Sequence, residues 1–440
     1  MLATKKTVFY ENLVIGRGVN EVTSLNLRVD EHYDRVIQLP FPKTWDVRTV
    51  RMAGHTAPAL TDEQIHDALN HPYGSPTVEE LAKGKTGKIV VTCDDLERPT
   101  PAYRVLPFIM TALNKAGISD SQIVIMGAFG LHAAMTADAY GRKVGWDMVQ
   151  RFDCVNHNAF KNLQNLGQTS RGTPLKVDSE FATADLRIVV CGIKKHPFAG
   201  AGGAGKHVVP GVASFDTIVW NHKVVGRTAE KGIWRIKGND ARADMQEAGR
   251  MADVDAVVNC CYNDNRELVG LFVGDLDDAW HEAVKYSYGL HSTPIPNKKA
   301  DVVVVNSYLQ AQQGIDWWPA SSTLREGGTA VGIHLYTPGW RVTHYLVESF
   351  GAGLYPDGYW ARVKGYPQRL WPVEQAGKIM VWSERIARRN ILRYDERVEW
   401  VSDWQRILTQ LTAVHGEDAT ALVFPCSRVQ FDPRKAPLVL

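Results

Sequence analysis

The six cysteines of this 440-residue chain, Cys93, Cys154, Cys191, Cys260, Cys261 and Cys426, form no CxxC pair and no finger-like spacing. That argues against a disulfide scaffold and a structural zinc site, and it fits a reducing compartment. A dominant charge is lacking too. The 50 basic and 48 acidic residues are mixed along the chain, the formal net charge is +2, and there is no basic tail or stripe. Nucleic acid is therefore not an expected partner. No apolar run reaches the ~18 residues that a membrane span needs. The opening "MLATKKTVFYENLVIGRG" also lacks the apolar stretch of a secretory signal. A cytoplasmic protein with no membrane partner is the expectation.

What is present describes a folded α/β protein. With 45% apolar and 22% charged residues the composition is globular, and the length exceeds one compact core, so two domains are expected. Residues 1–58 alternate β-branched and charged residues in short runs, as half-buried strands do. From there the rhythm changes to apolar runs separated by helical segments: "KIVVTC", "AYRVLPFIMTALNKAGI", "QIVIMGAF", a helix from about Ala133, and "LRIVVCGI". It returns after Lys298 with "ADVVVVN", a helical "LQAQQGIDWWPASSTLREGG", "TAVGIH", "SDWQRILTQLTAVHG" and "ATALVF". Short apolar runs alternating with helices predict parallel sheets. The predicted fold is two α/β domains of parallel-sheet character with the active site in the cleft between them. The boundaries are an N-terminal cofactor-binding domain over 1–275 with its β-rich lead-in 1–58, a helix and Pro-rich connector over 276–298, and a C-terminal domain over 299–440.

One loop stands out. "GAGGAGKH", Gly200 to His207, has the pattern of a phosphate-binding P-loop up to its last position, where His207 replaces the Ser or Thr whose hydroxyl holds magnesium. Gly200, Gly202, Gly203, Gly205 and Gly211 let the backbone approach a ligand, and Lys206 delivers an amine. A phosphate-bearing ligand suits that design; nucleoside triphosphate hydrolysis does not. In open parallel sheets ligands bind beyond the carboxyl ends of the strands. There the chain places Asp94, Asp95 and Arg98, then His132, then His196, then Gln310. Any one of these is more often a cap or turn residue, and His207 is more often packing. An acid, a guanidinium, two imidazoles and a loop lysine together favour a site.

These residues resemble a known family. "DDLERPTP", "GAFGLHAAMT", "NLGQTSRGTPLKV" and "KKHPFAGAGGAGKHVVPGVASFDTIVWNH" are similar to the signatures of the nickel-pincer lactate racemase family. Lys206 follows His196 by ten residues and precedes His222 by sixteen. The likeness is dense over about 68–225 and weaker through "YLQAQQG" and "REGGTAVGI" in the C-terminal part. It implies a nickel cofactor derived from nicotinic acid mononucleotide and tethered to Lys206, with His222 as a nickel ligand. It further implies His132 and His196 as general acid/bases, Arg98 and Gln310 on the substrate, Asp95 orienting Arg98 or the cofactor, and partner enzymes that build the cofactor. The implied reaction moves the Cα hydride of a 2-hydroxy acid to the cofactor and back, which inverts the carbon.

This chain departs from the family pattern at several positions. Gly205 stands where the family loop carries Arg, Lys195 precedes His196, and the substrate-side Gln-x-x-Lys is here Gln310 with Gln313. Trp317 and Trp318 follow, and could shape a larger pocket or simply fill a core. Two readings stand at this level: a 2-hydroxy acid racemase or epimerase, and a non-catalytic nucleotide or hydroxy acid binding protein of the same fold. A zinc hydrolase lacks the close histidine spacing that it would need.

Overall fold

The structure is a computed structural model that describes residues 22–30, 35–310, 314–335, 371–384 and 394–440. The chain divides into two compact units. One is formed by Arg51–Pro294 with Val429–Leu440, the other by the described parts of Met1–Val50, Ile295–Pro338 and Tyr366–Arg428.

The Arg51–Pro294 unit is built on six strands in the order Leu268–Gly274, Ala256–Tyr262, Leu186–Gly192, Ile89–Cys93, Ile123–Gly127, Asp153–Asn156. All neighbours run parallel except the edge pair Ala256–Tyr262 and Leu268–Gly274, which is antiparallel. Ile89–Cys93 and Ile123–Gly127 are buried at all five positions, as continuous apolar strands covered on both faces must be. The period of two shows in the packing. Ile89, Val91, Ile123, Ile125 and Ile188 point into one core with Leu106, Ile109 and Leu113 of the helix Leu106–Lys115. Val90, Val124 and Met126 point into the other with Met245 and Ala248 of the helix Asp240–Met251.

Two elements of this unit differ from expectation. The helix predicted from about Ala133 begins at Ala137, because Thr136 caps it by accepting the Ala139 N–H at 3.2 Å. His132 therefore sits ahead of the helix and has no capping role. The helix expected within 276–298 spans Asp278–His291, and ahead of it lies an unexpected strand, Leu268–Gly274. The run "LVGLFVG" pairs as an edge strand, a short apolar segment whose period does not separate strand from helix.

The second unit carries a six-stranded parallel sheet in the order Glu399–Val401, Lys378–Trp382, Leu324–Ile333, Ala300–Asn306, Thr420–Phe424, Asp46–Thr49. Its last strand comes from the lead-in segment, which the sheet thus joins to the C-terminal part of the chain. Val22–Asp30 and Arg35–Pro42 pair antiparallel. Trp317 is buried in the core of this unit and Trp318 packs against the same cluster, so both fill space. Of the helical reading over "LQAQQGIDWWPASSTLREGG", Trp318–Thr323 forms a helix and Leu324 onward is strand, while residues 311–313 lie outside the described residues.

The helix Asp240–Met251 approaches the glycine loop so closely that a β-carbon on Gly205 would overlap the Met245 carbonyl oxygen. Any side chain at that position has to displace the helix, which is why this chain has Gly there. Gly205→Ala is expected to cost about 1–3 kcal/mol of stability through overpacking, read as a lower denaturation midpoint at an unchanged denaturant slope.

Candidate active site at the strand ends

The order of strands in the first sheet creates one switch point. Ile89–Cys93 comes first in the chain; the next strands, Ile123–Gly127 and Asp153–Asn156, lie on one side of it, and Leu186–Gly192 and Ala256–Tyr262 on the other. The crevice beyond the strand ends at such a reversal is the general ligand position of doubly wound sheets. A cavity of about 370 Å³ lies there, and it brings together Asp95, Arg98, His132, His196, Lys206 and His222. These are six of the seven residues singled out from the sequence. The seventh, Gln310, is buried just past the strand Ala300–Asn306 in the other unit and is not among the described residues that line this cavity. Gln313 lies outside the described residues.

The loop that carries Lys206 is held from behind. His196 and Gly200 pair as a two-residue antiparallel ribbon, and Gly200 and Gly203 take φ of +72° and +85°, the left-handed region that glycine adopts without strain. The Arg242 guanidinium donates to the Gly203 carbonyl from both terminal nitrogens at 3.1 Å, and Trp280 Nε1 donates to the Gly202 carbonyl at 2.7 Å. Gln246 Oε1 accepts the Gly205 N–H at 3.0 Å. Lys206 then follows in the short 3-10 turn Ala204–His207. Among the described residues its ammonium has no hydrogen bond or ion pair, and burial together with the Arg98 and Arg242 charges pushes its pKa down to about 7. Half-neutral near pH 7, it is a nucleophilic amine where an ordinary lysine is an inert cation. His207 is buried and lines the same cavity: its Nδ1 lies 3.1 Å from the Thr92 hydroxyl and burial pushes its pKa down to about 4.

His222 is presented by a π-helical turn, Trp220–Val225, a geometry often found at functional positions. Its Nδ1–H donates to the Ile218 carbonyl at 3.0 Å, and its ring stacks on Phe198 with centroids 4.5 Å apart and planes 12° from parallel. Burial and the Lys206 charge push its pKa down to about 3, so the ring is neutral, with the Nε2 lone pair available. A backbone partner on one nitrogen and a lone pair on the other is how a metal-ligating histidine is oriented. The preceding residue is anchored in turn: Asn221 donates from Nδ2 to Asp244 at 2.7 Å, and the same carboxylate accepts the hydroxyls of Thr169 at 2.5 Å and Thr173 at 2.7 Å. That ties "QTSRGTP" to the Asn-His pair. Asp244 itself carried no sequence signal beyond its place in a polar helix.

The remaining groups form an ion-pair cluster. Asp94 is structural: Lys143, fully buried, lies 2.5 Å from it and Thr100 donates to it at 2.6 Å. Asp95 faces His132 Nδ1 at 2.5 Å, and Glu97 lies 3.3 Å from the same nitrogen. Burial raises the Asp95 carboxyl, but the His132 charge and hydrogen bond, with Arg98 and Lys143, carry it well below the usual carboxylate range. Arg98 lies 3.8 Å from the Glu97 carboxylate. Glu97 was missed from sequence because it reads there as the variable residue before the Arg. Asp95, Glu97 and His132 are the one group of three among the described residues with ligating atoms within 4.8 Å of one another; no such group contains His222.

Fold and cavity together define a class: a doubly wound α/β protein with a strand-end pocket lined by Arg98, Lys206 and the imidazoles of His132, His196 and His222. Residues 33–232 match the lactate racemase N-terminal domain. It is 30% identical over 280 residues to the lactate racemase of Lactiplantibacillus plantarum, covering 62% of this chain and 65% of that one. To the lactate racemase of Thermoanaerobacterium thermosaccharolyticum it is 26% identical over 261 residues, covering 58% and 60%. The chain thus spans less than two thirds of the length of either curated relative. In fold it is similar to the lactate racemase apoprotein of Thermoanaerobacterium thermosaccharolyticum, with a TM-score of 0.65 at 19% identity over 93% of this chain and all of that one. It is also similar to a Thermotoga maritima protein, with a TM-score of 0.59 at 17% identity over 85% and 98%.

Two outcomes follow from this geometry. An acylating reagent at pH 7 should label Lys206 roughly tenfold or more faster than surface lysines, with its rate rising between pH 6 and 8 and then levelling. Mass-mapped labelling that climbs only toward pH 10 would show an ordinary lysine. Asp244→Ala strands three buried donors and should lower unfolding free energy by about 3 kcal/mol or more, measured by denaturant titration.

Proposed function

We propose that this protein is a nickel-dependent racemase or epimerase of a 2-hydroxy acid. The observation that carries the reading is the combination, in one cavity, of a neutral His222 whose Nδ1–H is already engaged and a Lys206 amine without a partner among the described residues. These residues fit a nickel-pincer nucleotide. Neutral imidazole suits square-planar Ni(II). Among the described residues no group of three protein ligands includes His222, which suits a bound group that would bring further donors of its own, such as the sulfurs and carbon of a pincer. Lys206 is the residue to tether it. Gly202 and Gly203 provide close backbone approach for a phosphate-bearing ligand. When bound, that cofactor supplies a hydride acceptor.

The chain's own residues do the rest. Arg98 holds the substrate carboxylate through charge-assisted hydrogen bonds, and Asp95 orients His132 by accepting from its Nδ1. His132 and His196 stand against the substrate hydroxyl. Gln310 belongs to the reading as a substrate-side amide, and enzymes that build the cofactor are the expected partners. All six cysteines are free thiols, which favours a reducing cytoplasm, and no helix of the described residues is long and apolar enough to cross a membrane.

Protein made together with cofactor-building enzymes should retain nickel, carry an added mass on Lys206 and interconvert the enantiomers of at least one member of a 2-hydroxy acid panel. His222→Ala should lose most of the nickel while the fold is kept, because what it removes besides the ligand is one ring stack on Phe198 and one hydrogen bond to the Ile218 carbonyl. Full nickel and full activity in that variant would remove the ligand assignment.

A further inference from the structure

Tyr262 is the one tyrosine among the described residues that line the cavity, and its hydroxyl makes no hydrogen bond within them. It ends the strand Ala256–Tyr262. Cys260 pairs with Gly192, so Tyr262 reaches two residues past the end of the neighbouring strand Leu186–Gly192. Its ring lies over Gly192, where a β-carbon would come within 3.1 Å of Tyr262 Cε1. The backbone there is fixed, because the Tyr262 carbonyl accepts from His291 Nε2 at 3.0 Å, and the His291 ring packs on the phenol ring with centroids 5.7 Å apart. Tyr262 is 1% exposed. A buried phenol O–H usually has a partner, and leaving it without one costs free energy. Burial first, then the Asp94 charge, hold its pKa well above the ordinary phenol value against a smaller opposing pull from Arg98. It is therefore a neutral donor at neutral pH.

We propose that Tyr262 is a substrate-binding residue whose hydroxyl donates to the carboxylate that Arg98 holds. This rests on the 2-hydroxy acid reading above and adds a contact from a residue that spacing does not single out. A carboxylate offers about four lone-pair sites on its two oxygens, and one guanidinium fills two of them through parallel N–H bonds. The others need donors. Thr100, which carries the other hydroxyl of the cavity, already donates to Asp94 at 2.6 Å, whereas the phenol stands in the same cavity as Arg98 with its O–H uncommitted among the described residues. A neutral donor at that place binds the anion without adding charge beside the buried Asp94. The carboxylate keeps its charge in the 2-hydroxy acid, in the 2-keto acid and in the transition state between them. The contact is therefore made equally in ground and transition states, and it contributes to affinity, not to turnover.

Tyr262→Phe removes the hydroxyl and keeps the ring, and two measurements on it test the assignment. In cofactor-loaded enzyme the variant should raise KM about tenfold or more for each acid of the panel that is turned over, with kcat within about twofold, as loss of uniform binding does. Unchanged KM would overturn the contact. So would a fall in kcat beyond about tenfold at unchanged KM, which would place the phenol on the reacting atoms instead. The second measurement does not depend on activity. Because the hydroxyl has no partner to lose among the described residues, the denaturation midpoint of cofactor-free Tyr262→Phe should equal or exceed that of wild type. A lower midpoint at unchanged denaturant slope would show the hydroxyl bonded within the protein and overturn the contact whatever the kinetics. Loaded wild type that racemises no acid of the panel would count against the functional reading itself, whereas unchanged KM in a racemising variant strikes this contact alone.

Discussion

The helix Asp240–Met251 fixes three parts of the site at once, and the pocket depends on its position. Its N-cap Asn239 donates from Nδ2 to the Phe198 carbonyl at 2.9 Å, next to the amides that face His196. Arg242 and Gln246, one turn apart and hence on one face, hold Gly203 and Gly205 of the loop. Asp244, turned to another side, holds Asn221 and through it the π-turn of His222. The backbone beside His196, the lysine loop and the turn that carries His222 are thus referred to one rigid rod about 18 Å long. Such a reference is what a site needs if reacting groups are to be held within a fraction of an ångström.

That arrangement requires a guanidinium in the interior. Arg242 is 1% exposed, and burial lowers its pKa to about 9. No carboxylate salt-bridges it among the described residues; carbonyls, the Gln246 amide and the Trp280 face at 3.6 Å surround it. Burying a charge is costly unless it is paired or hydrogen-bonded; both terminal nitrogens of Arg242 are bonded, while its Nε has no hydrogen-bond partner among the described residues. Here the delocalised, weakly hydrated guanidinium stacks on an indole and spreads its donors over loop carbonyls, which lysine could not do from a single point. The same charge disfavours protonation of Lys206, so the group that braces the loop also helps to keep the loop's amine reactive.

Much of this was legible in the sequence, for identifiable reasons. Strands such as "KIVVTC" and "QIVIMG" are covered on both faces and therefore read as unbroken apolar runs. Arg98, His132, His196, Lys206 and His222 lie at strand ends or on the glycine loop, where spacing and family likeness both apply. Glu97, Arg242, Asp244 and Gln246 were not legible, because each acts through a tertiary contact: Asp244 meets Thr169 from 75 positions away, and nothing local marks it. The strand Leu268–Gly274 was missed since its pairing partner, not its own pattern, decides its form. The membership of Asp46–Thr49 in the C-terminal sheet is likewise a pairing fact that composition cannot carry.

The neutrality of the imidazoles does not depend on the state of Lys206. For both His196 and His222 burial is the first cause of the lowered pKa and the Lys206 charge only the second. If the amine loses its charge on forming a covalent bond, the first cause remains and both rings stay unprotonated at neutral pH. Burial thus keeps the rings of His222 and His196 neutral whether or not the amine is charged. His132 stands apart in its partners: the carboxylates of Asp95 and Glu97 face its Nδ1 at 2.5 and 3.3 Å.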